Sequence, residues 1–475
     1  MTVTTDKWTL SPHRCFDADP ARRQVATELY EGVKGLPLVC PHGHIDPFLL
    51  AEPNARFASP AGLFVIPDHY IIRMLYSQGV GMEKMGLATR DGSPTETDGR
   101  AVWRRFAERF YLFDGTPSGL WLKTELIELF GIDEKPSAAN AERLYDQIEA
   151  RLAEPDFSPR ALFRRFNIEV LSTTDAATDD LAHHRSLHAE GWTMIRPTLR
   201  PDAVVDILSL GWRAGIDRLS AVSGVNVADH RSFIAALEAR RAEFKRLGGF
   251  ATDHSAISPR AERLTEQEAS AIFERALRGR ADQADRELFS AHMLMELARM
   301  AAEDGLVMQL HCGSLRDYNG AVSRRFGRDV GADIPVAFDW TRNLRPLLDE
   351  FGNDPRFRLV LYTVDETTLS REMAPLAGHY PTVFLGAPWW FYDSPNGMER
   401  FLDAVVETAG IYNLAGFNDD TRAFPSIATR HDVWRRVTCN WIAGKVVRGL
   451  IDEADAPRIA GELAYGCGKR TYRLA

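Results

Sequence analysis

The chain has 475 residues, 45% hydrophobic and 26% charged, with 57 basic against 66 acidic side chains for a formal net charge of −9. That length suits one large domain with insertions or two ordinary ones, and the balance is that of a folded globular protein. The acidic excess argues against a phosphate-binding face of clustered Lys and Arg, so no nucleic-acid partner is expected and an anionic substrate would need local arginines.

No stretch reaches the roughly 18 apolar residues of a bilayer span, and residues 1–20 lack the apolar core of a signal peptide. No membrane partner is expected. Cys15, Cys40, Cys312, Cys439 and Cys467 are scattered, with no C-x-x-C spacing. This predicts reduced thiols in a cytoplasmic protein, not a disulfide framework or a zinc ribbon.

In chain order, the first short apolar run is 36–40, and it leads into His42, Gly43, His44 and Asp46. Residues i and i+2 of a strand face the same side. Two imidazoles there can reach one cation, and imidazole nitrogen suits zinc and similar divalent metals. The bland alternative is two hydrogen-bonded histidines shaping a turn. The interval 47–166 is too long for one crossover and reads as helical, notably at 103–110 and 120–131. It is expected to form a helical insertion beside the active-site mouth. Within it, Asp68 is placed to cap the helical pattern 71–79, with His69 and Tyr70 at the turn.

The second run, 168–172, leads into Thr173, Thr174 and Asp175; beyond it His183, His184 and His188 read as solvated residues of an exposed helix. The third, 192–197, leads into Arg200 and Asp202. The fourth, 248–252, carries two glycines that disfavour a strand and is expected to end at Asp253 and His254. The fifth, 306–310, ends in His311, followed by Arg316 and Asn319. The sixth, 357–362, leads to Asp365. The seventh, 382–385, leads to Trp389 and Trp390, which Pro388 takes into a loop where indoles can stack on a sugar. The eighth, 411–415, leads into Asn418, Asp419, Asp420, Thr421 and Arg422. Helical periodicity fills intervals such as 203–215, 231–247 and 287–303, and a helical tail includes 431–449.

Eight apolar runs alternating with helices predict an α/β fold, a (β/α)8 TIM-type barrel with an inserted helical subdomain after the first strand, in a single domain spanning 1–475. Active sites of such barrels lie at the C-terminal ends of the strands, where these polar residues gather. Closure of the barrel sets the eighth strand beside the first, so Asp420 is the expected carboxylate ligand to complete His42 and His44. Asp419 is the adjacent alternative, better suited to capping the following helix. Arg200 and Arg422 could each grip a carboxylate, or form structural salt bridges instead. His254 and His311 remain possible further ligands.

The stretches 41–47 (Pro-His-Gly-His-Ile-Asp-Pro), 68–70 (Asp-His-Tyr), 197–202 (Pro-Thr-Leu-Arg-Pro-Asp), 387–390 (Ala-Pro-Trp-Trp) and 416–424 (Gly-Phe-Asn-Asp-Asp-Thr-Arg-Ala-Phe) resemble those of the uronate (glucuronate) isomerases, a branch of the amidohydrolase superfamily. The resemblance runs from about residue 36 to 436. It implies isomerisation of D-glucuronate to D-fructuronate and of D-galacturonate to D-tagaturonate. It also implies a divalent metal, zinc by preference, on His42, His44 and Asp420. His69, Tyr70, Arg200, Trp389, Trp390 and Arg422 would line the substrate site, and His311 is counted with the substrate-binding residues. On this reading Asp420, Tyr70, His69 and Arg422 carry the catalysis. Ile45-Asp46-Pro47 departs from the Leu-Ser-Pro of the best-known form and leaves the preferred uronate open. The alternative is a one-metal hydrolase on the same scaffold, a lactonase, amidase or decarboxylase acting on a small carboxylate. A non-catalytic sugar-acid sensor is a further rival, disfavoured because a bare binding site needs no metal triad. A homo-oligomer is conceivable, since large barrels often assemble.

Overall fold

The computed structural model describes residues 7–474; residues 1–6, the start of the 1–20 stretch, and residue 475 lie outside the description. The strands are short and almost wholly buried, as parallel strands covered on both faces must be. The first is Leu38–Cys40. The second, Ile168–Ser172, continues in Asp175–Ala176, and the third is split into Ile195–Arg196 and Leu199–Arg200. Then come Ala251–Ala256, Val307–Cys312, Leu359–Thr363 and Val383–Leu385. Each pairs in parallel with the next in chain order, from first to seventh.

The eighth position departs from expectation. Residues 411–415 do not form a strand: Ile411–Asn413 is a 3-10 turn, and only a parallel bridge between Leu385 and Leu414 extends the sheet. An apolar run of that length serves a buried turn as well as a strand. Beyond it, the His44 amide donates to the Thr421 carbonyl at 3.1 Å. That bond ties the segment after the eighth position to the segment after the first strand, in the order of a β/α barrel.

Two further readings need correction. The glycines at the fourth strand do not weaken it, because they precede it. Gly248 turns the chain at φ 87°, and a Cβ on Gly249 would lie 2.7 Å from the Pro197 carbonyl oxygen. The strand then runs on through Asp253 and His254 to Ala256. The helical pattern 203–215 is interrupted, Asp202–Val205 and Trp212–Ser223 being separated by a turn that ends on Gly211 at φ 82°.

Between the first two strands lie the helices Phe48–Ala51, Pro60–Phe64, His69–Ser77, Gly99–Ala107, Pro117–Glu128, Ala141–Leu152 and Pro159–Arg165. Phe64, Trp103, Phe106, Phe113 and Phe157 fill their core, which is continuous with Leu38, Cys40, Ile168 and Leu171 of the first two strands. The Asp68 carboxylate caps His69–Ser77 by accepting from the Tyr70 amide at 2.8 Å, so the first helical turn points His69 and Tyr70 at the barrel. The helix Ser426–Val446 follows the eighth segment and is buried over nearly its whole length, packed against Pro20–Val33. Of the three histidines read as solvated, His183 and His188 are exposed. His184 is buried, its Nε2 2.8 Å from Thr173 Oγ1. Among the described residues no helix is long and apolar enough to cross a membrane.

One contact inside the barrel leaves no slack. The Tyr362 ring stacks on His311 at 4.2 Å with an interplanar angle of 9°, its hydroxyl is 2.9 Å from that of Tyr472, and a Cβ on Gly386 would fall 2.1 Å from its Cε1. Gly386→Ala is therefore expected to destabilise by about 2–3 kcal/mol through overpacking. Gly32→Ala, on a helix with nothing near the added methyl, should stabilise by about 0.5–1 kcal/mol. Denaturant midpoints of the two variants would read the contrast.

Candidate active site

His42 and His44 leave the first strand with both Nε2 atoms turned towards Asp420. Asp420 Oδ1 lies 3.4 Å from His42 Nε2 and 3.1 Å from His44 Nε2. Around a tetrahedral zinc, nitrogen and oxygen ligands stand about 3.3 Å apart, so these donor atoms already have the spacing of ligands sharing one ion. Their mutual distances stay within 4.8 Å. Burial alone would raise the Asp420 carboxyl, but the facing imidazoles outweigh it and hold the group well below the usual carboxylate range. The ionised oxygen a cation needs is thus present. Asp420 also sits at φ 42° and Trp390 at φ 59°, a left-handed backbone that non-glycine residues adopt at a cost and that clusters at functional sites.

The remaining expected residues gather around this trio. His69 packs its ring 4.1 Å from Trp390. Burial, with the Arg422 cation alongside, holds its imidazole neutral, well below the ordinary value. Tyr70 is more constrained. Its hydroxyl lies 3.0 Å from the Trp390 carbonyl and 3.1 Å from Asp393 Oδ2, and burial pushes its pKa well above 10. Trp389 and Trp390 are both buried and wall the site rather than lie open in a loop. Trp389 meets His311 edge-on at 4.8 Å, and the Trp390 indole N–H has no hydrogen-bond partner among the described residues.

The two arginines are not free. Arg200 donates from Nε to Asp202 at 2.7 Å and holds Asp253 Oδ2 at 3.4 Å from Nη1. Asp253 also takes His311 Nδ1 at 2.7 Å, and the His311 ring stands 4.7 Å from that of His42. Arg422 pairs with Asp329, whose side chain is 43% exposed. Asp329 comes from the long loop after the fifth strand, where Ser314–Leu315 and Ile334–Pro335 form a small antiparallel hairpin. The same loop sets the Arg316 guanidinium 5.5 Å from the Trp389 ring centre.

Asp419 and His254 are placed otherwise than expected. Asp419 caps no helix: Ser426–Val446 begins after Pro425 without a side-chain cap, and the Asp419 carboxylate is buried beside His431. His254 is not with the other histidines. Asp253 faces His311 and Arg200, so its neighbour in the strand faces the other way, and His254 Nε2 meets Thr252 Oγ1 at 2.8 Å. The residues that sequence reasoning passed over are mostly charged groups buried by tertiary contact. Arg430 is one, 3.8 Å over the Trp121 ring and bonded to Asp393 Oδ2 at 3.2 Å and the Asp419 carbonyl at 2.8 Å. Nothing in the spacing of Arg430 on its helix marks it as different from a surface arginine.

Comparison with known proteins bears on this geometry. A family model described as glucuronate isomerase matches residues 20–472. The uronate isomerase of Nostoc punctiforme is 59% identical over 472 residues, covering 99% of this chain and 100% of that one. This chain belongs to the glucuronate isomerase family. Among solved structures, the glucuronate isomerase of Caulobacter crescentus is 44% identical with a TM-score of 0.96, over 99% of this chain and 98% of its own. The uronate isomerase of Thermotoga maritima is 30% identical with a TM-score of 0.90, over 98% and 99%. The protein is therefore an isomerase that interconverts aldose and ketose hexuronates, and the hydrolase alternative is set aside.

Because His254 is locked away from the site, its protonation reports on folding. Burial pulls it from 6.5 down to about 3. The unfolded chain takes up this proton near 6.5 and the folded chain only near 3, so acidification through that window favours unfolding. His254→Gln is expected to flatten the pH dependence of the unfolding free energy by up to one proton between those limits. Parallel denaturation series at several pH values measure it; an unchanged slope would contradict the buried, neutral imidazole.

Proposed function

We propose that Asp420 carries the proton between C2 and C1 of an open-chain hexuronate, with D-glucuronate and D-galacturonate as the aldose substrates. The observation behind this reading is the convergence of both first-strand imidazoles on one oxygen of Asp420, which leaves Oδ2 outside that pair of contacts. His42, His44 and Asp420 would hold a divalent metal, and two imidazole nitrogens with a carboxylate oxygen suit zinc. When bound, such an ion supplies Lewis-acid polarisation of the sugar oxygens.

The protein's own groups account for the proton movements. The Asp420 carboxylate removes the C2 proton to give an enediol and returns a proton to C1, while the hydroxyl proton at O2 passes to O1. His69, neutral and facing Asp420 and Arg422, is the group suited to opening the ring by taking the anomeric hydroxyl proton and delivering one to the ring oxygen. Tyr70 is less suited, because its hydroxyl is already spent on Trp390 and Asp393; it positions the Trp390 turn. Trp389, Trp390 and His311 exclude water from the enediol. Of the arginines, Arg422 is the better clamp for the C6 carboxylate. Its partner Asp329 is exposed and can yield to a substrate carboxylate, whereas Arg200 is held by two carboxylates. The helical segment 47–166 is proposed to belong to the same folding unit, since it shares its core with the first two strands. Free thiols at all five cysteines support a reducing, cytoplasmic setting.

Incubation with each uronate in deuterated water, followed by NMR for the ketose and for deuterium at C1, tests the reaction. Asp420→Asn should lower turnover by about a hundredfold to ten-thousandfold while uronate binding persists. Near-normal exchange in that variant would rule out Asp420 as the base. Arg422→Gln should raise KM by about tenfold to a hundredfold, the loss of a charge-assisted pair, with a smaller change in kcat. The opposite split would move the clamp elsewhere.

A further inference from the structure

Beside the catalytic trio lies a second group of metal-ligating side chains that the reaction does not use. Cys40 ends the first strand two residues before His42. Asp419 immediately precedes Asp420. His431 lies near the start of the helix Ser426–Val446. Cys40 Sγ is 3.5 Å from His431 Nε2, and His431 Nε2 is 3.5 Å from Asp419 Oδ1. One ligand atom from each residue lies within 4.8 Å of the others.

Around a tetrahedral zinc, a thiolate and an imidazole nitrogen stand about 3.5 Å apart, and nitrogen and oxygen about 3.3 Å. Both observed separations match. The group is also sealed: Cys40, Asp419 and His431 are 0%, 1% and 2% exposed. The Asp419 carboxylate is faced by the Cys40 thiol and the His431 imidazole, and neither of its oxygens has another hydrogen-bond partner among the described residues. A carboxylate so placed is a ready ligand for a buried cation. Its second oxygen is available as a fourth donor beside the sulfur, the nitrogen and the first oxygen.

We propose that Cys40, Asp419 and His431 bind a second divalent cation of the zinc class, distinct from the ion at His42, His44 and Asp420. Thiolate, imidazole and carboxylate together favour a borderline-soft ion over magnesium or calcium. With no solvent path, the ion is structural rather than catalytic. It enters as the chain folds, and the Cys40 thiol releases its proton to solvent on binding. It would pin the first strand, the turn carrying Asp420 and the helix Ser426–Val446 to one point, holding His42 and Asp420 at their working separation.

The test is metal analysis of the full-length protein produced with zinc or cobalt. Wild type is expected to hold a second equivalent of metal. Its cobalt form should show a near-ultraviolet thiolate-to-cobalt charge-transfer band that is lost, with one equivalent of metal, in Cys40→Ser. The band should persist in the His42→Ala/His44→Ala variant, which lacks the other site. No more than one equivalent in wild type without a thiolate band, or a band that survives Cys40→Ser, would overturn the proposal. Should Cys40→Ser fail to fold, X-ray absorption of zinc-loaded wild type decides. A sulfur neighbour at about 2.3 Å supports the site, and shells of nitrogen and oxygen alone refute it.

Discussion

Everything at the mouth of this barrel depends on the meeting of the His42 and His44 imidazoles with Asp420. The partners come from opposite ends of the chain, and the link is made between the exit of the first strand and the exit of the eighth segment. It cannot be a local motif. The His44 amide bonded to the Thr421 carbonyl keeps the first-strand exit and the last-strand exit in register. The left-handed backbone at Asp420 turns its carboxylate towards the two nitrogens. Such a conformation costs about 1–3 kcal/mol and persists only where the surroundings over-determine it. Here the surroundings are the two imidazoles on one side and, on the other, the Arg430 guanidinium bonded to the Asp419 carbonyl.

Part of this was legible in the amino-acid sequence. Two histidines at i and i+2 after an apolar run predict a shared face, and barrel closure nominates Asp420; the three meet as that reasoning requires. The cap at Asp68 could be read for the same reason, since its signal lies within a few residues. What escaped detection depends on direction or on distant partners. His254 failed because a shift of one residue along a strand reverses the face. The eighth strand failed because apolar content reports burial, not conformation. The roles of Asp253, Asp329, Asp393 and Arg430 were invisible because a charged residue carries no mark of which distant partner it will meet.

The distribution of charge around the trio follows from the cost of burying ions. Beneath it, Asp253 is shared by Arg200 and His311, and burial is outweighed by these neighbours and His42, so the carboxyl stays well below its usual range. To one side, Asp393 receives Tyr70 and Arg430. Asp253 and Asp393 are both buried, and stripping a buried carboxylate of its partners costs about 3–5 kcal/mol. They hold the walls in place.

At the rim the balance differs. Arg422 and Asp329 are 29% and 43% exposed, and an ion pair in contact with water is worth about 1 kcal/mol or less. Exchanging Asp329 for a substrate carboxylate therefore costs little, whereas the same exchange at Arg200 would disturb Asp253 and, through it, His311 and the face of His42. The two arginines differ in their partners rather than in depth. Both side chains are partly exposed, 28% for Arg200 and 29% for Arg422, but Arg200 is tied to the buried Asp253 whereas Arg422 is tied to the exposed Asp329. The loop after the fifth strand that carries Asp329 is also held by Arg325, which pairs with Glu83 and whose carbonyl accepts from the Arg90 amide, so a carboxylate taking the place of Asp329 would change the partner of Arg422 while the loop kept its other anchors.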